Sequence, residues 1–147
     1  TKNALENGAS EIDTVIKIGA LKDGRFDYNQ QELIILSTLC HRNRAILKVI
    51  LETGLLTEKE IRTACILAER SGADFVKTST GFNGPGATVE AVKLMKRVTG
   101  PSMKIKASGG IRTLEDARAM IEAGADRLGC SASVAIMEEY LQESPVS

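Results

Sequence analysis

The chain has 147 residues, 43% of them hydrophobic and 26% charged, with 19 basic side chains balanced by 19 acidic ones. That is the composition of one ordinary folded domain, and zero net charge excludes the basic footprint that nucleic acid or an anionic membrane would select. No apolar run approaches the roughly 20 residues of a membrane span and no signal peptide is expected, while an odd number of unpaired thiols, three in all, fits the reducing cytoplasm expected as the setting.

Strand-like and helix-like patterns alternate along the chain. A strand is expected over 10–18 (SEIDTVIKI), a helix over 30–40 (QQELIILSTLC) and a strand over 45–52 (AILKVILE). Thr57 then opens a helix with Glu60 at the reciprocal capping position, stopping at Gly72, and a strand follows over 74–80. An amphipathic helix over 88–98 ends at Gly100-Pro101, and the next strand is 104–108. Thr113 and Asp116 cap a helix that stops at Gly124, a short strand covers 127–130, and a last helix 133–141. The tail 143–147 is expected to fray.

Five β-then-α units of about 30 residues are the pattern of parallel strands with helical crossovers. An open doubly wound sheet would advertise a glycine-rich turn such as GxGxxG after its first strand, and none is present. Chemistry placed at the ends of several strands favours a (β/α) barrel, although a complete barrel takes about 200 residues or more. The expectation is therefore a single α/β domain over 1–147, a partial TIM barrel. The chain begins TKNAL, without methionine, and processing or truncation is the expected reason.

Three lysines, Lys48, Lys77 and Lys106, stand at equal spacing, each inside a run that otherwise reads as a buried strand. An ammonium in such a strand is unfavourable without a partner. An amine that loses its proton in a pocket is a good nucleophile toward carbonyls, and a second cation nearby promotes that loss. If the spacing is one structural repeat, the three amines converge on one interior. Asp13, mid-strand in SEIDTVIKI, is the carboxylate expected to balance them and relay a proton; Glu11 and Lys17 share its face but are expected to reach solvent.

A second constellation suits phosphate. Ser108-Gly109-Gly110-Ile111-Arg112 leads from a strand into a capped helix, and Gly129-Cys130-Ser131-Ala132-Ser133 repeats the arrangement in the last unit. Such turns bring backbone N–H groups to an anion near a helix N-terminus, and barrels often hold phosphate between their last two strand-to-helix loops. Thr78, Ser79, Thr80 and Gly81 close the Lys77 strand, with hydroxyls on the first three that either meet a ligand or cap the loop, and 82–86 reads as a mobile loop over the site. Cys40, Cys65 and Cys130 are far apart without CxxC, and His41 is the single histidine, so neither a metal nor a disulfide is expected. Cys40 and Cys65 read as small buried hydrophobes, and His41 as a helix-end surface residue.

At EIDTVIKIGALKDG, LKVILETGLL, GADFVKTSTGF and IKASGGIRTLEDA the sequence resembles the deoxyribose-phosphate aldolases, class I aldolases built on a (β/α)8 barrel. The resemblance runs over nearly the whole chain and implies strands four to eight of that barrel, with the first three βα units absent. It implies reversible cleavage of 2-deoxy-D-ribose 5-phosphate to glyceraldehyde 3-phosphate and acetaldehyde in deoxyribonucleotide catabolism, without metal or organic cofactor. It makes Lys77 the Schiff-base nucleophile, Lys106 its electrostatic neighbour in proton transfer, Asp13 the relay aspartate and Lys48 an accessory lysine. Thr78, Ser79, Gly81, Gly109, Gly110, Arg112, Gly129 and Ser131 fall to substrate and phosphate binding, with Ala132 departing from a serine often found in the family. The implied partners are small phosphosugars and aldehydes, not nucleic acid or membrane, together with a second copy or a missing barrel segment to cover the open edges. Two rival readings stand beside this one. The first is a catalytically inactive, phosphosugar-binding or self-assembling fragment; the second is a phosphate-binding barrel enzyme of another class, such as an isomerase or synthase, which needs no three-lysine set.

Overall fold

The computed structural model describes residues 1–82 and 84–143. Asn83, in the expected loop, and most of the expected fraying tail, 144–147, lie outside the described residues. The strands are β1 (Glu11–Val15), β2 (Ile46–Ile50), β3 (Phe75–Lys77), β4 (Lys104–Ser108) and β5 (Arg127–Gly129), all parallel and hydrogen-bonded in sequence order. The helices are α1 (Lys2–Glu6), α2 (Ile18–Lys22), α3 (Phe26–Arg42), α4 (Glu58–Arg70), α5 (Val89–Val98), α6 (Leu114–Glu122) and α7 (Ser133–Glu143), with a 3-10 turn at Thr53–Leu55. The expected first strand is too long at its C-terminal end, because Ile18 opens α2.

Side-chain alternation splits the sheet into two chemistries. Ile12, Leu47, Val49, Val76, Ile105 and Ala107 point to one face and form the core with Leu33 and Cys40 of α3, Ala64, Cys65 and Ala68 of α4, Val92 and Met95 of α5, and Ala117 and Met120 of α6. Each helix offers its apolar stripe to that face, so burial of this layer is the main stabilising term. Among the described residues no helix is long and apolar enough to cross a membrane. The opposite face carries Glu11, Asp13, Lys48, Lys77, Lys106 and Arg127, with Ile50 and Phe75 the buried apolar side chains between them.

Helix boundaries follow local chemistry. Thr57 with Glu60, and Thr113 with Asp116, form capping boxes at α4 and α6. Gly72 (φ 78°) and Gly124 (φ 111°) end those helices in the left-handed conformation that glycine adopts without strain. Each glycine is followed by Ala-Asp, and each aspartate accepts from the preceding strand: Asp74 Oδ2 from Leu47 N and Asp126 Oδ2 from Ile105 N, both at 2.8 Å. The repeated Gly-Ala-Asp stop thereby seats one strand on its predecessor.

The register corrects one expectation. Lys77 pairs with Lys106, but Lys48 pairs with Phe75 and Ile50 with Lys77. Lys48 thus stands one side-chain layer below Lys77, because the β2–β3 stagger differs from the β3–β4 stagger. Equal spacing in sequence does not put all three lysines at one level.

The sheet is also strongly curved. In a flat sheet β1 and β5 would stand about 19 Å apart, four strand spacings, beyond the joint reach of an arginine and a glutamate. Yet Arg127 Nη1 on β5 donates to Glu11 Oε2 on β1 at 2.6 Å. The polar face is the inside of a trough, the geometry of a partial barrel.

Candidate active site

The lysines meet on one carboxylate. Lys48 Nζ donates to Asp13 Oδ1 at 2.8 Å, Lys77 Nζ donates to Asp13 Oδ2 at 2.7 Å, and Lys106 Nζ lies 3.9 Å from Oδ2. Lys48 also reaches Glu11 Oε2 at 2.7 Å, with its side chain 4% exposed. Its lower position is bridged by its own length, so the amines converge although their Cα atoms do not.

Burial alone would raise the Asp13 pKa, but hydrogen bonds from Lys48 and Lys77 outweigh it and hold the carboxyl below its ordinary value. Burial opposes the charge on Lys48 too, and the hydrogen bonds to Asp13 and Glu11 overcome it, so that ammonium is strengthened. Lys106 goes the other way. Burial and then the Lys77 charge weaken its ammonium, and Asp13 at the longer distance compensates only in part. Burial and neighbouring cations thus act on Lys106 in the opposite sense to the carboxylates that hold Lys48 charged.

A cavity of about 500 Å3 opens above the cluster, lined by Lys77, Thr80, Gly81, Phe82, Lys106, Ser108, Gly109, Gly110, Ile111, Arg112, Gly129, Cys130 and Ser131. Of the residues expected from sequence, Lys77, Lys106, Gly81, Gly109, Gly110, Arg112, Gly129 and Ser131 face it. Asp13 and Lys48 do not line it; Asp13 adjoins it through Lys77 and Lys106, which do. Gly129 leaves room for Lys106: a Cβ there would stand 3.1 Å from Lys106 Cε and 3.0 Å from Ser108 Cβ.

Thr78 and Ser79 are placed differently. Both are buried, and their hydroxyls donate to the Ser108 carbonyl at 3.0 and 2.8 Å, while Ser108 N donates to Thr78 Oγ1 and Ser108 Oγ to the Ser79 carbonyl. They lock β3 to β4 and do not line the cavity, so their hydroxyls take the second of the two roles open to them, fixing the strand end.

The N-terminus of α6 is likewise engaged. Asp116 Oδ2 accepts from Arg112 N and Thr113 N, and Glu139 Oε2 from Leu114 N. An anion in the cavity would therefore meet the Gly109-Gly110 turn and the Arg112 side chain rather than these helix-end amides. That turn is braced by Pro85 and Ala87, since Ala87 N donates to the Gly109 carbonyl at 2.9 Å and a Cβ on Gly110 would stand 3.3 Å from the Pro85 carbonyl.

The model of the DeoC/LacD family aldolases matches residues 1–138. The chain belongs to this family. It is 57% identical over 137 residues to the deoxyribose-phosphate aldolase of Thermococcus gammatolerans, covering 93% of this chain and 61% of the relative. It is 59% identical over 138 residues to that of Staphylococcus epidermidis, covering 94% and 62%. The tetrameric deoxyribose phosphate aldolase of Aeropyrum pernix superposes with a TM-score of 0.87 at 34% identity, over 99% of this chain and 60% of that one. This DeoC/LacD chain thus spans somewhat over three fifths of the length of the curated relatives it matches.

Sequence reasoning about this DeoC/LacD chain missed three charged residues. Glu11 is drawn inward by Lys48 and Arg127, whose hydrogen bonds hold its carboxyl below the ordinary value, in contrast to the solvent role expected for it. Arg127 shares the inner face with Gly129, and strand alternation was the available signal. Glu52, 1% exposed with φ 56°, accepts from Thr80 Oγ1 at 2.6 Å and so pins the exit of β3; its left-handed backbone has no local sequence signature.

Proposed function

We propose that the chain carries the Schiff-base machinery of a class I aldolase acting on 2-deoxy-D-ribose 5-phosphate. The observation that carries the reading is Lys77 on the cavity floor, oriented by Asp13 and flanked by Lys106. Lys106 in its amine form takes a proton from Lys77, the freed lone pair of Lys77 Nζ attacks the aldehyde carbon of the opened sugar, and return of that proton to the oxygen lets it leave as water, giving an iminium. The proton of the third-carbon hydroxyl departs and the bond between the second and third carbons breaks. Its electrons pass into the iminium as an enamine, and glyceraldehyde 3-phosphate leaves. Protonation of the enamine carbon and addition of water then return acetaldehyde and free Lys77.

Asp13, held ionised by two lysines, orients Lys77 and balances its charge, while Lys106 takes up and returns protons. Lys48 secures Asp13 from below. Gly81, Gly109, Gly110, Gly129, Ser131 and Arg112 receive the phosphate, and Thr78 and Ser79 support that pocket from behind. No metal or organic cofactor enters this scheme. The setting it implies is deoxyribonucleotide catabolism in the cytoplasm.

Association with a second copy or with a further barrel segment belongs to the same proposal. It is supported by the two open sheet edges, β1 and β5, and by exposed Val134, Met137 and Leu141 on α7. Because the chain covers 61% of its relative from Thermococcus gammatolerans, a phosphosugar-binding fragment without turnover is the competing reading. The test is acetaldehyde release from 2-deoxy-D-ribose 5-phosphate, followed by a coupled alcohol dehydrogenase. Release that is abolished in Lys77→Ala supports the aldolase; thermal stabilisation by the sugar phosphate with no release supports the binding fragment.

A further inference from the structure

The proposed chemistry uses Asp13, Lys77 and Lys106, yet the trough holds a longer run of alternating charge. Arg127 donates to Glu11 at 2.6 Å; Glu11 accepts from Lys48 at 2.7 Å; Lys48 donates to Asp13 at 2.8 Å; and Asp13 accepts from Lys77 at 2.7 Å. The run crosses from one sheet edge to the other. Arg127 is the direct register partner of Lys106, so its guanidinium belongs to the strand beside that amine.

We propose that Glu11 and Arg127 are positioning residues that set the charge balance of the lysine cluster: Glu11 clamps Lys48 onto Asp13 and neutralises Arg127, the cation beside Lys106. This rests on the aldolase reading above for its consequence but not for its geometry. The charged groups around Lys106 are Asp13 from β1 at 3.9 Å, Lys48 from β2, Lys77 from β3, Lys104 on its own strand, Arg127 from β5, and Arg112 on the loop after β4, which lines the same cavity; Glu11 reaches this set through its contacts with Lys48 and Arg127. Lys104 is turned toward Phe75, its Nζ 5.7 Å from the ring centroid, and Arg127 Cζ lies 4.9 Å from the same centroid. Phe75 thus supports the arginine from below as a cation–π platform while Glu11 holds its tip.

Opposite perturbations follow from opposite charges. With Glu11 neutral, Arg127 and Lys48 both lose a counter-ion and the field at Lys106 becomes more positive, so its ammonium releases its proton at lower pH. With Arg127 neutral, the field becomes less positive and the proton is held to higher pH. A role limited to bracing the trough would move neither titration in a charge-dependent direction.

The experiment is an NMR titration of the Lys106 Cε carbon in the chain, its resonance assigned by loss in Lys106→Met. Glu11→Gln is expected to lower the midpoint by about half a pH unit and Arg127→Gln to raise it by a similar amount. The double variant should return to within about 0.2 unit of the parent, and Arg127→Lys, which keeps the charge, should stay as close. If Glu11→Gln does not fold, the contrast between Arg127→Gln and Arg127→Lys decides alone. Equal midpoints in all variants, or single-variant shifts of the same sign, would overturn the proposal. Failure of Lys77 to form an imine leaves these titrations untouched, so the two readings fall separately.

Discussion

Replacing Asp13 by asparagine removes a carboxylate that bridges two lysines. The change keeps the shape and deletes a charge held 2.8 Å from Lys48 and 2.7 Å from Lys77. Removing one partner of a fully buried ion pair costs about 3–5 kcal/mol. The Asp13 side chain keeps 31% of its exposure and Lys48 retains Glu11, so solvent screening and the second partner reduce the loss. We expect a destabilisation of about 2 kcal/mol at neutral pH, a fall in Tm of roughly 5 °C for a chain of this size. The pH dependence has a fixed sign. The folded-state pKa of Asp13 is depressed below 3.8, so its contribution is complete above that value and is lost as pH falls through the lower folded value. Urea denaturation of both proteins should show the full gap at pH 7 and a shrinking one below about pH 4. Equal stability at neutral pH, or a gap that stays constant into acid, would refute the reasoning.

Other variants separate scaffold from chemistry. Thr78→Val removes a buried hydroxyl that both donates to the Ser108 carbonyl and accepts from Ser108 N, at 3.0 Å each; it should cost about 1–3 kcal/mol in chemical denaturation while leaving Lys77 in place. Gly129→Ala should fold, since its backbone φ is not in the left-handed region. Its new methyl crowds Lys106 Cε, so imine formation should slow by more than its stability loss of about 1 kcal/mol explains, as read by comparing trapping rates with melting curves. Burial pushes the Cys65 thiol up to about 12 and raises that of Cys40 as well, so iodoacetamide should label Cys130 alone in the native chain and all three thiols in denaturant, counted by intact mass.

Much of the scaffold was legible because its rules are local. The capping boxes at Thr57 and Thr113, the glycine stops at Gly72 and Gly124, and the alternation that turns Asp13, Lys77 and Lys106 to one face each depend on a few adjacent residues. What stayed hidden depends on distant parts of the chain. The level of Lys48 is set by strand stagger, which spacing does not encode, and the Glu11–Arg127 contact needs the curvature of the whole sheet. Thr78 and Ser79 carried the right composition for a binding strand end, but their neighbour Ser108 claims their hydroxyls. Helix α2 is only five residues long and follows β1 closely, so its apolar residues read as more strand.

The central claim is that Lys77 is the amine that attacks a carbonyl. With limiting acetaldehyde and cyanoborohydride, hydride adds to the imine carbon and leaves an N-ethyl group on the reactive lysine, which peptide mass mapping locates. The account predicts that Lys77 is modified ahead of every other lysine and that Lys77→Ala removes this fast phase. Modification of Lys77 no faster than that of the exposed lysines, or a fast phase that survives Lys77→Ala, would contradict it.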